Sequence, residues 1–196
     1  MPTNSPLADD ADAIIRVIEQ NRIFGYSNKL GALTLADGRL WPMGPFPYQE
    51  AFHRSQKRNR WMVAGNRTGK TWCGAAELVM MAMQIHPWKR NFPPDNPWDF
   101  YAITTSHKKS LEVQRPLVEY YVPSSYIEHW YNREVEKPSR LILRNPNTGR
   151  RLGIIHFMCF EQNLMEFESS KLAGAWADEE LPAEIYRALL VRLLDT

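Results

Sequence analysis

Ala64-Gly65-Asn66-Arg67-Thr68-Gly69-Lys70-Thr71 decides how the rest of the chain is read. Four apolar residues, Trp61 to Ala64, lead into it, and an apolar, small-residue stretch, Trp72 to Ile85, leads out. This order predicts a strand over Arg60 to Ala64, a glycine-rich turn and a helix that stops before Pro87. Gly69-Lys70-Thr71 fills the last three positions of the phosphate-binding pattern G-x-x-x-x-G-K-[ST], with Ala64 in place of its first Gly. Such a loop wraps backbone N–H groups round a phosphate, and the helix N-terminus adds its dipole. In that arrangement Gly65, Asn66, Arg67, Thr68 and Gly69 form the cradle. Lys70 reaches the β- and γ-phosphates of ATP, and the Thr71 hydroxyl ligates Mg²⁺.

A loop of this kind needs acids from a second strand. Leu172-Ala173-Gly174-Ala175-Trp176-Ala177 is a short apolar stretch that runs into Asp178-Glu179-Glu180, and Asp178 follows Lys70 by 108 positions. Asp178 is expected to hold Mg²⁺ through water, and Glu179 to act as general base on the attacking water. Glu180 is left structural. Taken alone, these acids read equally well as the favoured N-terminal charges of the next helix, Pro182 to Leu194. The preceding loop tips the reading to catalysis.

Upstream, Phe46-Pro47-Tyr48-Gln49 opens a short helix to about Arg58. A Gln amide both donates and accepts, which matches the N6 and N7 edge of adenine, and Phe46 or Tyr48 can pack on the ring. Gln49 stands 21 positions ahead of Lys70. The competing reading is a surface Gln in a Pro-rich turn.

Between the two halves, Phe100 to Thr104 reads as a second buried strand. Thr105 and Ser106 at its end are candidates for the site or for DNA, and Ser106 equally fits a helix cap. A helix follows, interrupted at Pro116 and ending near Pro123. Arg140 to Leu143 and Leu152 to Phe160 flank Asn145-Pro146-Asn147-Thr148-Gly149 as a β-hairpin. Arg144, Arg150 and Arg151 crowd its tip and Arg140 its base. They are either a solvated turn or a set from which one arginine serves a neighbouring subunit's nucleotide or touches phosphate backbone. Glu161 to Ser170 reads as a short helix.

Composition bounds the rest. A chain of 196 residues, 44% apolar and 23% charged, suits a globular α/β domain. A net charge of +2 neither requires nor excludes nucleic acid. Cys73 and Cys159 fit no metal spacing and read as buried free thiols, and the histidines are assigned no metal. Met1 to Asp12 is polar and acidic, and no apolar run reaches about 18 residues, so a soluble protein without membrane contact is expected. Residues 1–44 form an arm with a helix over Asp9 to Ile23, and residues 45–196 form the domain. The expected architecture is α/β, a three-layer sandwich with a mainly parallel central sheet. One more strand must lie between the first strand and the acid-bearing one, as in P-loop NTPases of the additional-strand, catalytic-glutamate class.

With Asn66-Arg67-Thr68-Gly69-Lys70-Thr71 and Trp176-Ala177-Asp178-Glu179-Glu180 together, the chain over residues 45–196 resembles the ATPase domain of a tailed-phage large terminase subunit. Arg67, three positions before Lys70, and Ala64 at the first pattern position are features this family commonly carries. Phe46-Pro47-Tyr48-Gln49 looks like its adenine motif. The resemblance implies a RecA-like fold and ATP hydrolysis that draws double-stranded DNA into a procapsid. It also implies ring assembly on a portal protein with a small terminase subunit, in the host cell cytoplasm. It makes Arg67 a sensor or stabiliser of transition-state charge, unless that side chain ties the loop to a neighbouring acid. Two features depart from the family: no nuclease-type acid cluster occurs, and the family's Thr- or Ser-rich coupling strand end would fall after Thr196. The expected object is a motor domain excised from its nuclease. A helicase-type RecA-like fragment and a nucleotide-gated assembly module, inactive alone, are the alternatives.

Overall fold

A computed structural model of the chain describes residues 46–65, 68–89, 98–167 and 172–194. In chain order the elements are α1 (Pro47–Arg54), α2 (Lys70–Ala82), β1 (Trp98–Thr104), α3 (His107–Lys109), a π-helical turn (Ser110–Gln114) and α4 (Arg115–Tyr121). After a 3-10 turn, Ser124–Tyr126, come β2 (Ile127–Tyr131), β3 (Ser139–Arg144), β4 (Arg151–Cys159), α5 (Leu164–Phe167), β5 (Leu172–Ala177) and α6 (Ala183–Leu194). The expected arm and its Asp9 to Ile23 helix lie outside the described residues.

The five strands form one sheet in the order β2-β3-β4-β1-β5. β1 runs parallel to both β4 and β5, whereas β2–β3 and β3–β4 are antiparallel. The sheet is therefore mixed rather than mainly parallel. The hairpin about Asn145 to Gly149 is the reason, because a tight turn can join only antiparallel strands. β1 alternates across the sheet as the pleat requires. Phe100 and Ala102 pack with α2, α4 and the hairpin strands, while Tyr101 and Ile103 pack with Phe167, Ile185 and Leu189 on the other side. Helices thus cover both faces of the parallel half.

The expected strand over Arg60 to Ala64 does not form. The segment is extended but outside the sheet, with Trp61 67% and Val63 95% exposed. Strand structure needs a ladder partner. β5 is hydrogen-bonded to β1 on one edge, and among the described residues its other edge has no partner. Among the described residues no strand is hydrogen-bonded to the apolar run, and Trp61 leans instead on Tyr186 of α6, with ring centroids 6.0 Å apart. β2, for which the sequence offers little alternation, adds a strand that was not anticipated. The helical stretch after β1 is continuous through Pro116, because the π-turn hands over to α4 with Pro116 in its first turn, where no N–H is needed. The helix expected over Glu161 to Ser170 is described only as Leu164–Phe167. No helix among the described residues is long and apolar enough to cross a membrane.

Two contacts set the tightness of this packing. Gly74 on α2 lies against the Trp176 indole of β5, so that a Cβ there falls inside van der Waals contact with the ring. Arg115, 2% exposed, donates to the carbonyls of Asn132 (2.8 Å), Arg133 (3.2 Å), Val135 (2.7 Å) and Lys137 (2.6 Å). It pins the β2–β3 turn to the start of α4. Gly74→Ala is expected to destabilise the fold by about 1–3 kcal/mol through overpacking, despite the better helix propensity of Ala. Denaturant titration checks this, and a stability equal to or above that of the parent chain would contradict the close approach.

Candidate functional site

The glycine turn is held from three sides. Gly69 has the left-handed backbone (φ 83°) that places Lys70 at the first position of α2. The Tyr48 hydroxyl donates to the Thr68 carbonyl, and the Thr68 hydroxyl donates to the Gly65 carbonyl at 2.8 Å. Gln49 is fully buried: its Oε1 accepts from the Phe46 N–H (2.9 Å) and its Nε2 donates to the Gly69 carbonyl (3.0 Å). One end of the amide thus caps the start of α1 and the other joins α1 to the turn. The Lys70 ammonium donates to the carbonyls of Ala64 (2.6 Å) and Gly65 (2.8 Å). Thr71 follows in the first helical turn. Asn66 and Arg67 lie outside the described residues.

The acids stand at the carboxyl end of β5, next to the carboxyl end of β1. The Asp178 N–H donates to the Ile103 carbonyl at 3.2 Å, which carries the strand pairing into the acid run. The Asp178 side chain makes no ion pair among the described residues. Glu179 is engaged on both oxygens: Thr104 Oγ1 donates to Oε2 at 2.8 Å, and Lys109 pairs with Oε1. The sequence pointed to the neighbours Thr105 and Ser106. The hydroxyl that reaches the acid is Thr104, and Ser106 takes the capping role, accepting from the Lys109 N–H at 3.2 Å.

Lys70, Asp178, Glu179 and Glu180 line one cleft of about 700 Å³ between the 56–62 segment, α2, β5 and α6. Fold topology thus brings together a lysine and a carboxylate pair 108 positions apart. An ammonium from α2 and two neighbouring carboxylates from the end of β5, lining one cleft, suit a polyanionic substrate with a divalent ion. Asp178 and Thr71 offer the hard oxygen atoms that Mg²⁺ prefers. The hairpin arginines are placed apart from this cleft. Arg144 Nε donates to the Gly149 carbonyl, Arg150 to Gln84 Oε1 (3.2 Å), and Arg151 makes a forked pair with Glu128.

Behind the turn lies a charge cluster that the sequence reading passed over. Glu77, 5% exposed in the middle of α2, accepts from His53 Nδ1 (2.6 Å) and His86 Nε2 (3.0 Å) on one oxygen, and from Arg60 (2.6 Å) and Lys89 (2.6 Å) on the other. The remaining ring atoms fix the tautomers. His86 Nδ1 accepts the Trp88 N–H at 3.3 Å, and His53 Nε2 faces the Cys73 thiol at 3.5 Å, so both rings present N–H to the carboxylate. Three ligand-type atoms lie within 4.8 Å of one another here. The His–Glu separations are nevertheless hydrogen-bond lengths, and a divalent ion would sit beside two cations, so the donor set does not fit a metal. Its sequence signal is an acid inside an otherwise apolar helix, which demands buried partners.

Burial alone would raise Glu77. The hydrogen bonds from His53 and His86, together with the charges of His86 and Arg60, outweigh it and hold the carboxyl well below its usual range. Burial also pushes His86 below an ordinary histidine, against the pull of Glu77. The Cys73 thiol is driven up by burial and then by the Glu77 charge, which makes it inert.

Comparison of the chain with known protein families, curated proteins and solved structures found no match.

Both lowered groups act in the same direction on stability. The unfolded chain binds more protons than the folded one, so stability falls as pH falls. The His86 contribution is complete above about pH 6.5 and is lost on acidification from there, and that of Glu77 is complete above about pH 4.3 and is lost below it. Thermal melts are expected to hold level between about pH 7 and pH 8 and to fall below about pH 6.5. A melting temperature that stays flat down to pH 4 would exclude the cluster as drawn.

Proposed function

We propose that the chain is an ATPase motor domain of the tailed-phage large-terminase kind, a RecA-like P-loop NTPase that couples ATP hydrolysis to movement of double-stranded DNA. One observation carries the reading: Lys70, directly after a left-handed Gly69, shares a cleft with Asp178 and Glu179 at the carboxyl end of a parallel strand. Ligands of open α/β sheets bind at that end. Two arms of the chain, far apart in sequence, supply what phosphoryl transfer requires and little else.

In this reading Lys70 and the amides of the glycine turn neutralise phosphate charge. Thr71 and Asp178 would hold Mg²⁺, which would supply positive charge against the phosphates. Glu179 takes the proton of the attacking water, and Arg67 stabilises charge at the transferred phosphoryl group. The Tyr48 and Gln49 bonds to the turn make α1 the element that transmits adenine-side contacts to the phosphate side. The free edge of β5 is where the class would place one further strand, with the 60–64 segment beyond it. Work as a ring on a portal, together with a small terminase subunit, belongs to the same proposal.

A second reading, a nucleotide-gated assembly module, is favoured by the engagement of Glu179 with Lys109 and Thr104. A carboxylate neutralised by an ammonium is a weak base, so basal turnover would be low until that pair opens. Tight nucleotide binding with turnover near zero, with and without duplex DNA, selects the module. Turnover that rises with duplex DNA selects the motor, and stimulation by single strands alone selects a helicase.

Lys70→Ala is expected to weaken binding of a fluorescent ATP analogue by about 10–100-fold, through loss of charge-assisted bonds. Glu179→Gln should leave that binding intact and lower turnover by about 10²–10⁴-fold. Unchanged hydrolysis in Glu179→Gln would remove it as the base, and unchanged binding in Lys70→Ala would remove the phosphate loop.

A further inference from the structure

The strand register assembles a surface that the reading above does not use. Tyr131 of β2 stands opposite Arg140 of β3, which stands opposite His156 of β4. The next row along the strands is His129, Ile142 and Ile154, and the third brings Arg144 beside Arg151. All three rows lie on one side of the sheet, because the intervening Trp130, Leu141, Leu143, Ile155 and Phe157 pack into the core on the other. Among the described residues α5 and α6 cover this side over β1, β5 and the end of β4, through Met158, Phe167 and Ile185.

The exposed side chains of these rows, which flank the buried Ile142, are cationic and aromatic. Tyr131 is 43% exposed, and His129, Arg140, Arg144 and Arg151 are exposed with it. The Arg140 guanidinium lies 4.6 Å from the Tyr131 ring centroid, and the His129 and Tyr131 rings are 4.0 Å apart. Arg140 and Arg144 have no carboxylate partner among the described residues. The acids of the face are spent: Glu128 on Arg151 and Asp99 on His156, at 2.8 and 2.7 Å. The contact with Tyr131 restrains Arg140, and a guanidinium without a carboxylate partner suits a phosphate in a forked pair.

We propose that the outer face of β2–β3–β4, centred on Arg140 and Arg144, docks the phosphate backbone of DNA. The choice of DNA as occupant rests on the motor reading, and the choice of face rests on unpaired positive charge and register. The two arginines stand four positions apart on β3, about 13 Å at the usual rise. That is comparable with the ~12 Å width of a major groove, so the two guanidiniums can reach phosphates on both of its rims.

The test is fluorescence anisotropy of a labelled short duplex, and of a single strand of the same sequence, titrated with the chain at several salt concentrations. The parent chain should bind the duplex with an affinity that falls with salt. R140Q/R144Q should bind it about 10–100-fold more weakly and shallow the log–log salt slope by about 2, the value for two lost phosphate contacts. Both positions are exposed, so folding should survive, and a thermal melt of each variant verifies it. Arg187→Gln, an exposed charge removed from α6, should bind as the parent does. Duplex affinity and slope unchanged in R140Q/R144Q, or an equal loss in Arg187→Gln, overturns the assignment, as does a parent chain with no salt-dependent binding. Binding of a fluorescent ATP analogue, measured in parallel, separates the two failures. A chain that binds DNA through this face but no nucleotide keeps the face and loses the motor. Nucleotide binding with DNA affinity indifferent to both arginines does the reverse. Binding confined to the single strand and lost in R140Q/R144Q keeps the face and moves the function to a helicase.

Discussion

The buried carboxylate of Glu77 is the constraint on which the glycine turn depends. A lone ionised acid in the interior costs several kcal/mol, and it persists only with partners that supply charge and N–H groups together. Here four partners come from three places: His53 from α1, Arg60 from the segment that enters the turn, and His86 and Lys89 from the bend after α2. The cluster therefore does for the 56–65 segment what a sheet ladder does for a strand. It fixes the path of a chain that has no β partner and sets where Lys70 begins its helix. Arg60 also lies over the Phe52 ring at 4.4 Å and donates to the Phe52 carbonyl at 2.8 Å. The entering chain is thus tied to α1 by stacking and hydrogen bonding as well as by charge.

The sheet divides into two halves with different jobs. The parallel half, β4-β1-β5, is covered on both faces and brings its carboxyl ends, with Thr104, Asp178 and Glu179, to one margin. The antiparallel half, β2-β3-β4, is covered on one face and carries polar residues on the other, the ordinary alternation of an antiparallel sheet. β4 belongs to both, and its register keeps them rigid with respect to each other. A charge placed on the hairpin is therefore held in a defined relation to the cleft at the far edge.

Much of this arrangement is legible in the sequence, and the exceptions share a cause. The glycine turn, α2, β1, the hairpin and the acid-bearing β5 each announce themselves through a local signal: a turn residue, an apolar run, or a change of period. The close approach of α2 to the sheet was readable in Trp72-Cys73-Gly74-Ala75-Ala76. The strand expected over Arg60 to Ala64 shows the limit, since an apolar run records a tendency to be extended and buried but not whether a partner stands beside it. β2 was overlooked because Glu128 and His129 interrupt any alternation in Ile127-Glu128-His129-Trp130-Tyr131. Glu77, Arg115, Thr104 and Lys109 were overlooked because their roles are set by neighbours 9 to 75 positions away. Of the candidate site, the lysine and the two acids were found from spacing and type. What surrounds them was not, because a single residue in a sequence does not say which atom it will meet.

The grip of Arg115 on the β2–β3 turn has a consequence for how freely that turn can be rewritten. Every bond it makes is to a main-chain carbonyl. The turn backbone is thus held from outside itself, by a residue of α4, and Arg133 adds an ion pair to Glu119 and a contact with the Trp130 ring. Asn132 is held by identity, through a left-handed backbone (φ 51°) and a side-chain bond to the Pro138 carbonyl at 2.7 Å. A segment of this kind tolerates exchange of charge and size at its tip while its backbone stays in place. It is accordingly where a tag, a label or a new recognition sequence can be carried with least disturbance to the sheet.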